Sequence, residues 1–365
     1  QRRALRWLAD VPMVAMAVGV TVLLFRTVLP RISYPYDLEW MEGGMLLHAA
    51  RVLEGASLYV MPSEDFIPFI YTPLYPWVLA GISSTGIPLD YELGRWLSFV
   101  SVLLAGVALI IAVRKESGNS LLGVAGAALF FATYPVSGAF FDLVRNDGLL
   151  LGTLVCSLVS IRHGWIRTGG ILLTLSFLTK HTSALYGLPA LWWLWHHNGR
   201  EDSVRFVRWS VLPALLAVIG LQWQSEGLFL TYLLGVPSVH PFVGERFLIT
   251  APKEFLTSMI WLVGLMVMVF LLARRATSKG IRFWIAQGCL ALVLSAIMRG
   301  HHGGYLNVLM PGLWFLSLWA CLAVHYVRMR WPGLVVRTAT AALVAWQMWS
   351  MQWNPSRYIP SEKDV

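Results

Sequence analysis

Charge is scarce in this chain. Asp, Glu, Lys and Arg make up 13% of its 365 residues, against 57% hydrophobic residues and a mean hydropathy of +0.64. That balance excludes an ordinary soluble core, which does not need so much apolar surface. Cysteine is scarce too. Cys156, Cys289 and Cys321 all lie inside apolar runs, at spacings that offer neither a metal site nor a disulfide, and they read as small packing residues. The sequence shows no internal repeat, low-complexity tract or soluble domain. Compartment must therefore be read from where the few charges fall. A pI near 9.7 suggests nucleic acid for a soluble protein. For an apolar one it reflects the positive-inside rule, and no nucleic-acid partner is expected.

Long apolar runs are abundant instead, at 11–29, 96–113, 120–141, 148–161, 169–180, 182–195, 208–224, 256–273, 283–298, 305–326 and 333–350. They predict an all-α polytopic membrane protein with about 11 transmembrane helices. The first run follows Arg2, Arg3 and Arg6 with no small-residue cleavage site after it, so it reads as an anchor and not a signal peptide. A further run, 71–87, carries Pro73, Pro76, Gly81 and Gly86, which weaken a straight span. Charge decides its status. With 71–87 left in the interface, 17 of the 28 basic residues fall on one side, among them Arg114, Lys115, Arg162, Arg167, Arg274, Arg275, Arg328 and Arg337. Only four of the 19 acids join them, giving a net +13 against −4 on the other face. The rule makes the basic side cytoplasm. The expectation is a single domain over 1–365 in the cell inner membrane, N-terminus inside. Residues 30–95 form a first outer loop with interfacial helices.

Five polar constellations then share the outer face. "YPYDLEWMEGGMLLHAARVLEG" (34–55) crowds Asp37, Glu39 and Glu42 into six positions. Pro35 and Asp37 suit a helix start, and Glu39 and Glu42, three apart, are expected on one helix face. Acids near the N-terminus of an interfacial helix explain them, and so does a carboxylate whose partial desolvation makes it a general base. Gly43 and Gly44 favour Glu42 as that base, because they leave space for a substrate against the backbone. "FFDLVRNDG" (140–148) puts Arg145 and Asp147 at the mouth of two spans, as a capping pair or as part of a site. Lys180 and His181 separate two short apolar runs, where a lysine either snorkels or meets an anion such as phosphate. His240 and Arg246 in 235–247, and Arg299 and His301 in 298–304, suit a phosphate as well. No cofactor is expected. A divalent metal at His301 and His302 is the alternative, without the spacing such sites use.

With these residues in place, the chain resembles the GT-C superfamily of membrane glycosyltransferases, closest to the bacterial branch related to protein O-mannosyltransferases and lipid A aminoarabinose transferases. The matching pieces run in order: the acidic motif leading into "AARVLEGASLY", then "YTPLYPWVLAG", "RNDGLLLG", "LSFLTKHTSALYGLPALW" and "GGYLNVLMPGLW". The resemblance implies a polyprenyl-phosphate-sugar donor entering from the membrane lipids and a lipid, glycan or protein acceptor arriving from outside. An acid of the first outer loop acts as base, and cations stabilise the leaving phosphate. Asp147 and Lys180 match positions at the cavity, and His240 and Arg246 match a loop that contacts the donor phosphate. Relatives place Asp and Glu adjacent; here the acids are spread as D-L-E-W-M-E, so the base is one of Asp37, Glu39 and Glu42. Two other functions compete. A catalytically silent structural or accessory subunit, with partner subunits, would keep the fold without the base. A transporter would show polar mid-span residues or repeated broken helices, and the sequence shows neither clearly.

Overall fold

The structure, a computed structural model, describes residues 2–272 and 279–361; the basic pair Arg274 and Arg275 lies outside the described residues. Every regular element among the described residues is helical, as expected of backbone that must satisfy its own hydrogen bonds in hydrocarbon. The first nine helices are α1 (Arg2–Ile32), α2 (Glu42–Leu53), α3 (Leu74–Ser83), α4 (Tyr91–Ser117), α5 (Ser120–Ala132), α6 (Asn146–Arg162), α7 (Ile166–Thr179), α8 (Gly187–His197) and α9 (Arg200–Gln224). Two three-residue helices, α10 (Leu228–Leu230) and α11 (Val236–Ser238), flank a π-helical turn. The chain continues through α12 (Ala251–Ser258), α13 (Ile260–Leu272), α14 (Lys279–Gly300), α15 (Met310–Arg330) and α16 (Leu334–Ser350).

The protein is an all-helical, multi-pass membrane protein. Among the described residues five stretches are long and apolar enough to cross a bilayer: Trp7–Ile32, α4, α9, α14 and Leu306–Arg330. The pair Arg246–Ser258 and Ile260–Met268, bent by 95°, makes a sixth if it is one crossing. The other expected spans are helices of 11 to 17 residues, below the ~20 of a perpendicular crossing. Three runs are interrupted. The run 120–141 stops being α-helical at Ala132, because Pro135 donates no N–H and disfavours helix in the residue before it. The run 182–195 opens as a 3-10 turn, His181–Tyr186. The run 256–273 breaks at Met259. There the buried Gln347 side chain satisfies the freed backbone, accepting from the Trp261 amide at 3.1 Å and donating to the Ser258 carbonyl at 3.1 Å. Helix α3, with ten residues, is about 15 Å long, half of a hydrocarbon core.

Two compact units divide the chain: residues 1–31, 106–139 and 243–365 in one, and 32–105 and 140–242 in the other. In the first, α15 is largely buried. Asp10 of α1 is fully buried there between Arg337 and Arg328, the latter at 3.1 Å.

The second unit carries the acidic stretch. Its α6 lies directly on α4 because Gly148 and Gly152, four apart, face the α4 backbone. A Cβ at either would sit 2.7 Å from the Ser98 or the Ser101 carbonyl oxygen. Tyr75 of α3 ties in below, its hydroxyl donating to the Gly94 carbonyl at 2.9 Å. The Ser98 hydroxyl donates to the Arg145 carbonyl at 3.1 Å, which anchors the start of α6 against α4.

Candidate active site

The acids are not arranged on one helix face. Helix α2 begins only at Glu42, and residues 34–41 form turns before it. Glu39 therefore lies outside the helix and points elsewhere.

Glu42 is fully buried and receives four donors. Arg95 reaches it with Nη2 to Oε2 at 2.8 Å and Nε to Oε1 at 3.1 Å. The Leu38 amide donates to Oε2 at 2.6 Å and the Val144 amide to Oε1 at 2.7 Å. Arg95 also holds the carbonyls of Tyr34 and Tyr36. This carboxylate knits three segments together, and its charge is neutralised where it sits.

Glu39 opens a second cluster. Its Oε2 accepts from Arg145 Nη1 at 2.9 Å and from the Met41 amide at 3.2 Å. Arg145 Nη2 donates to the Tyr71 hydroxyl at 3.1 Å, while its buried Nε has no partner among the described residues. Lys180 Nζ meets Asp147 Oδ1 at 3.2 Å; Asp147 is 3% exposed. The Tyr71 ring stands between the two cations, 5.8 Å from the Arg145 guanidinium carbon and 5.9 Å from Lys180 Nζ. Lys180 is placed by its own backbone, the extended residue (φ −156°, ψ 117°) that ends α7. Half-buried His181 follows it, and the fully buried Asn146 precedes Asp147; among the described residues His181 Nδ1 and Asn146 Oδ1 have no partner. Two carboxylates, two cations, a phenol and spare polar atoms thus meet at one end of α6 and α7. Such a set can exchange its internal partners for an anionic group.

Asp37 is the exposed acid. Its Oδ1 accepts from the Gly43 amide at 2.7 Å, and the Tyr91 hydroxyl donates to it. It has no cation paired with it among the described residues. The glycines are occupied from within the protein, contrary to the expectation that they make room for a substrate. A Cβ at Gly43 would lie 3.3 Å from Asp37 Oδ1 and from the Tyr91 hydroxyl, and one at Gly44 would strike the Phe69 ring. That ring stacks on His48 at 4.3 Å between centroids. His48 Nε2 accepts from the Phe69 amide at 2.9 Å, so its Nδ1 must carry the proton donated to the Gly44 carbonyl at 2.7 Å. Burial pushes the His48 pKa down from 6.5 to about 4.

His240 follows α11 in the same unit. Arg246, Arg299 and His301 belong to the other unit. There Arg299 is taken up by Glu254, at 2.9 Å, and by the Gly304 carbonyl at 2.9 Å. His301 Nδ1 lies 3.0 Å from the His302 carbonyl. Arg246 opens the π-helical turn Arg246–Thr250, half-buried. Among the described residues no group of three His, Cys, Asp or Glu side chains converges as a metal set. Sequence reasoning passed over Arg95 and Tyr71. Arg95 carried a usable signal, a charge in the second turn of an apolar span, which demands an acid. Tyr71 carried none, since tyrosines beside a bilayer are ordinary.

No protein-family model matches the chain. It is 28% identical over 148 residues to GPI mannosyltransferase 1 of Emericella nidulans, covering 39% of this chain and 33% of that protein. Its structure is similar to crystal structures of ArnT from Cupriavidus metallidurans. The apo form matches with a TM-score of 0.63, and the form bound to undecaprenyl phosphate with 0.60. Identity is 15% in both, over 85% of this chain and 59% of ArnT. The chain thus spans about three fifths of ArnT and a third of the mannosyltransferase. The resemblance read from the ordered motifs holds at the level of the fold, which the chain shares with ArnT.

Proposed function

We propose that the chain moves a sugar from a polyprenyl-phosphate-linked donor to an acceptor hydroxyl, with the reaction at the outer face of the cell inner membrane. The observation that carries this reading is the cluster of Glu39, Arg145, Tyr71, Lys180 and Asp147, with the exposed carboxylate of Asp37 two positions before Glu39 in the chain. A leaving lipid phosphate needs cations, and Arg145 and Lys180 are two cations held by one tyrosine. The two carboxylates keep them in place until a phosphate takes over.

Asp37 is the base in this reading. Glu39 is engaged by Arg145 Nη1 and the Met41 amide, which suits it to orient Arg145 rather than to abstract a proton. Glu42 has no accessible lone pair to offer. Asp37 takes the acceptor hydroxyl proton as that oxygen attacks the anomeric carbon. The bond from this carbon to the phosphate oxygen breaks, and the released charge falls to Arg145 and Lys180. ArnT bound to undecaprenyl phosphate, and the mannosyltransferase match, support a lipid-linked donor. The +13 against −4 charge partition supports the orientation.

The test is transfer by the full chain in vesicles carrying a labelled polyprenyl-phospho-sugar and candidate lipid, glycan or peptide acceptors. Asp37→Asn should lower the rate about 10²–10⁴-fold while leaving donor binding intact. Unchanged transfer by that variant would remove Asp37 as base. Donor binding without transfer to any acceptor would favour the silent accessory subunit.

A further inference from the structure

Between Val11 and Pro30 the first helix carries one charged residue, Arg26. It is exposed and has no hydrogen-bond or ion-pair partner among the described residues. It lies six residues before Ile32, the end of α1, or about 9 Å along the axis. An arginine at that depth needs a counter-charge or a path to the interface.

The surroundings favour a counter-charge. Arg26 lines a groove of about 450 Å³ with Thr21, Val22, Phe25, Leu29 and Pro30, an apolar surface apart from Arg26 and the Thr21 hydroxyl. The Thr21 hydroxyl proton is already given to the Ala17 carbonyl at 2.8 Å. Exposed Val11, Val18, Val22 and Leu29 recur at intervals of seven, four and seven, so they form one apolar stripe along α1 that runs into the groove. A cation at one end of an apolar stripe inside a membrane has the charge and shape complement of a phosphate-headed lipid.

We propose that this groove is a binding site for one anionic glycerophospholipid. The phosphodiester would pair with Arg26, and one acyl chain would lie against Val22, Phe25 and Leu29. One guanidinium matches the single negative charge of a phosphodiester. A phosphomonoester, with up to two, would leave charge unmatched, and no second cation lines the groove. Exposed Ala15 and Gly19 on the same side make a partner helix the competing occupant. The groove begins at Thr21, two residues beyond Gly19, and its cation calls for a charge that an apolar helix would not bring.

Native mass spectrometry of the full chain, released from nanodiscs of mixed phosphatidylglycerol and phosphatidylcholine, tests this. A single phosphatidylglycerol should stay bound, phosphatidylcholine should not replace it, and Arg26→Gln should lose it. Arg26→Lys should keep it, which separates lost charge from lost fold, and the exposed control Arg205→Gln should be without effect. Equal retention of both lipids, or retention by Arg26→Gln, overturns the site. Displacement by undecaprenyl phosphate at one equivalent overturns the assignment to a phosphodiester. A photoreactive residue at Val22 should capture lipid; capture of a second protein chain overturns the lipid in favour of a helix.

Discussion

Glu42 and Arg95, 53 positions apart, are both completely buried and meet at 2.8 Å. The pair joins the start of α2 to α4, and through the Val144 amide it reaches the segment that carries Arg145. Removing one partner of such a pair leaves an uncompensated buried charge. Glu42→Gln should therefore destabilise the protein by about 3–5 kcal/mol, read as a lower unfolding temperature in detergent or nanodiscs. A Glu42→Gln protein as stable as the wild type, with transfer abolished, would return Glu42 to the role of base.

Lys180→Met should weaken binding of undecaprenyl phosphate about 10- to 100-fold, the usual worth of a hydrogen bond to a charged group. Because Asp147 loses its cation in that variant, thermal stability has to be followed in parallel. Lys180→Arg should restore much of the affinity. Binding unaffected by Lys180→Met would end the phosphate assignment at this residue.

Tyr71→Phe should leave the fold intact and loosen Arg145, which loses a hydrogen bond at 3.1 Å while keeping the ring beneath it. The expected outcome is a raised donor KM with a smaller change in kcat. A loss of kcat at unchanged KM would instead place the phenol at the reacting atoms.

Gly44→Ala puts a methyl group into the Phe69 ring. The ring is also stacked on His48, so it has little freedom to move aside. Destabilisation of about 1–3 kcal/mol is expected, as for other overpacked contacts. The companion Phe69→Leu should relieve part of it, which a thermal melt of the double variant would show.

Acid should loosen the same contact. Folded His48 is neutral with a pKa of about 4, against 6.5 for the free side chain, so between these values the unfolded chain binds more protons. Stability from this group is complete above about pH 6.5 and falls as the pH drops towards 4. Protonation also removes the acceptor for the Phe69 amide. Faster exchange of that amide at pH 5 than the intrinsic rate predicts is the expected result, and His48→Asn should flatten the dependence.

Much of this was legible without coordinates. The apolar runs foretold a helical membrane protein, and the order of the polar motifs foretold the fold shared with ArnT. The prolines and glycines of 71–87 foretold an interrupted run, and α3 has only ten residues. Lys180 and Asp147 were singled out because charge at the end of an apolar run is costly, and that cost is visible in one dimension. Other readings failed for a shared reason. Glu39 and Glu42 were placed on one face because a three-residue spacing means that only inside a helix, and the helix starts at Glu42. Gly43 and Gly44 read as open space because the residues that fill it, Asp37, Tyr91 and Phe69, come from turns and a helix start whose return to α2 has no local signature.

The sequence by itself determined composition, helicity and the positions where polar groups interrupt apolar runs. These depend on near neighbours and on transfer free energies, which add along a chain. Which acid is neutralised, which holds Arg145 and which stays open was decided only by tertiary structure. Glu42 pairs with Arg95 across 53 positions and Glu39 with Arg145 across 106. Both pairings exist because Gly148 and Gly152 let α6 close onto α4, which brings the 145–147 segment under the acidic turn. Electrostatic partnership depends on distance in space, and helix packing sets that distance.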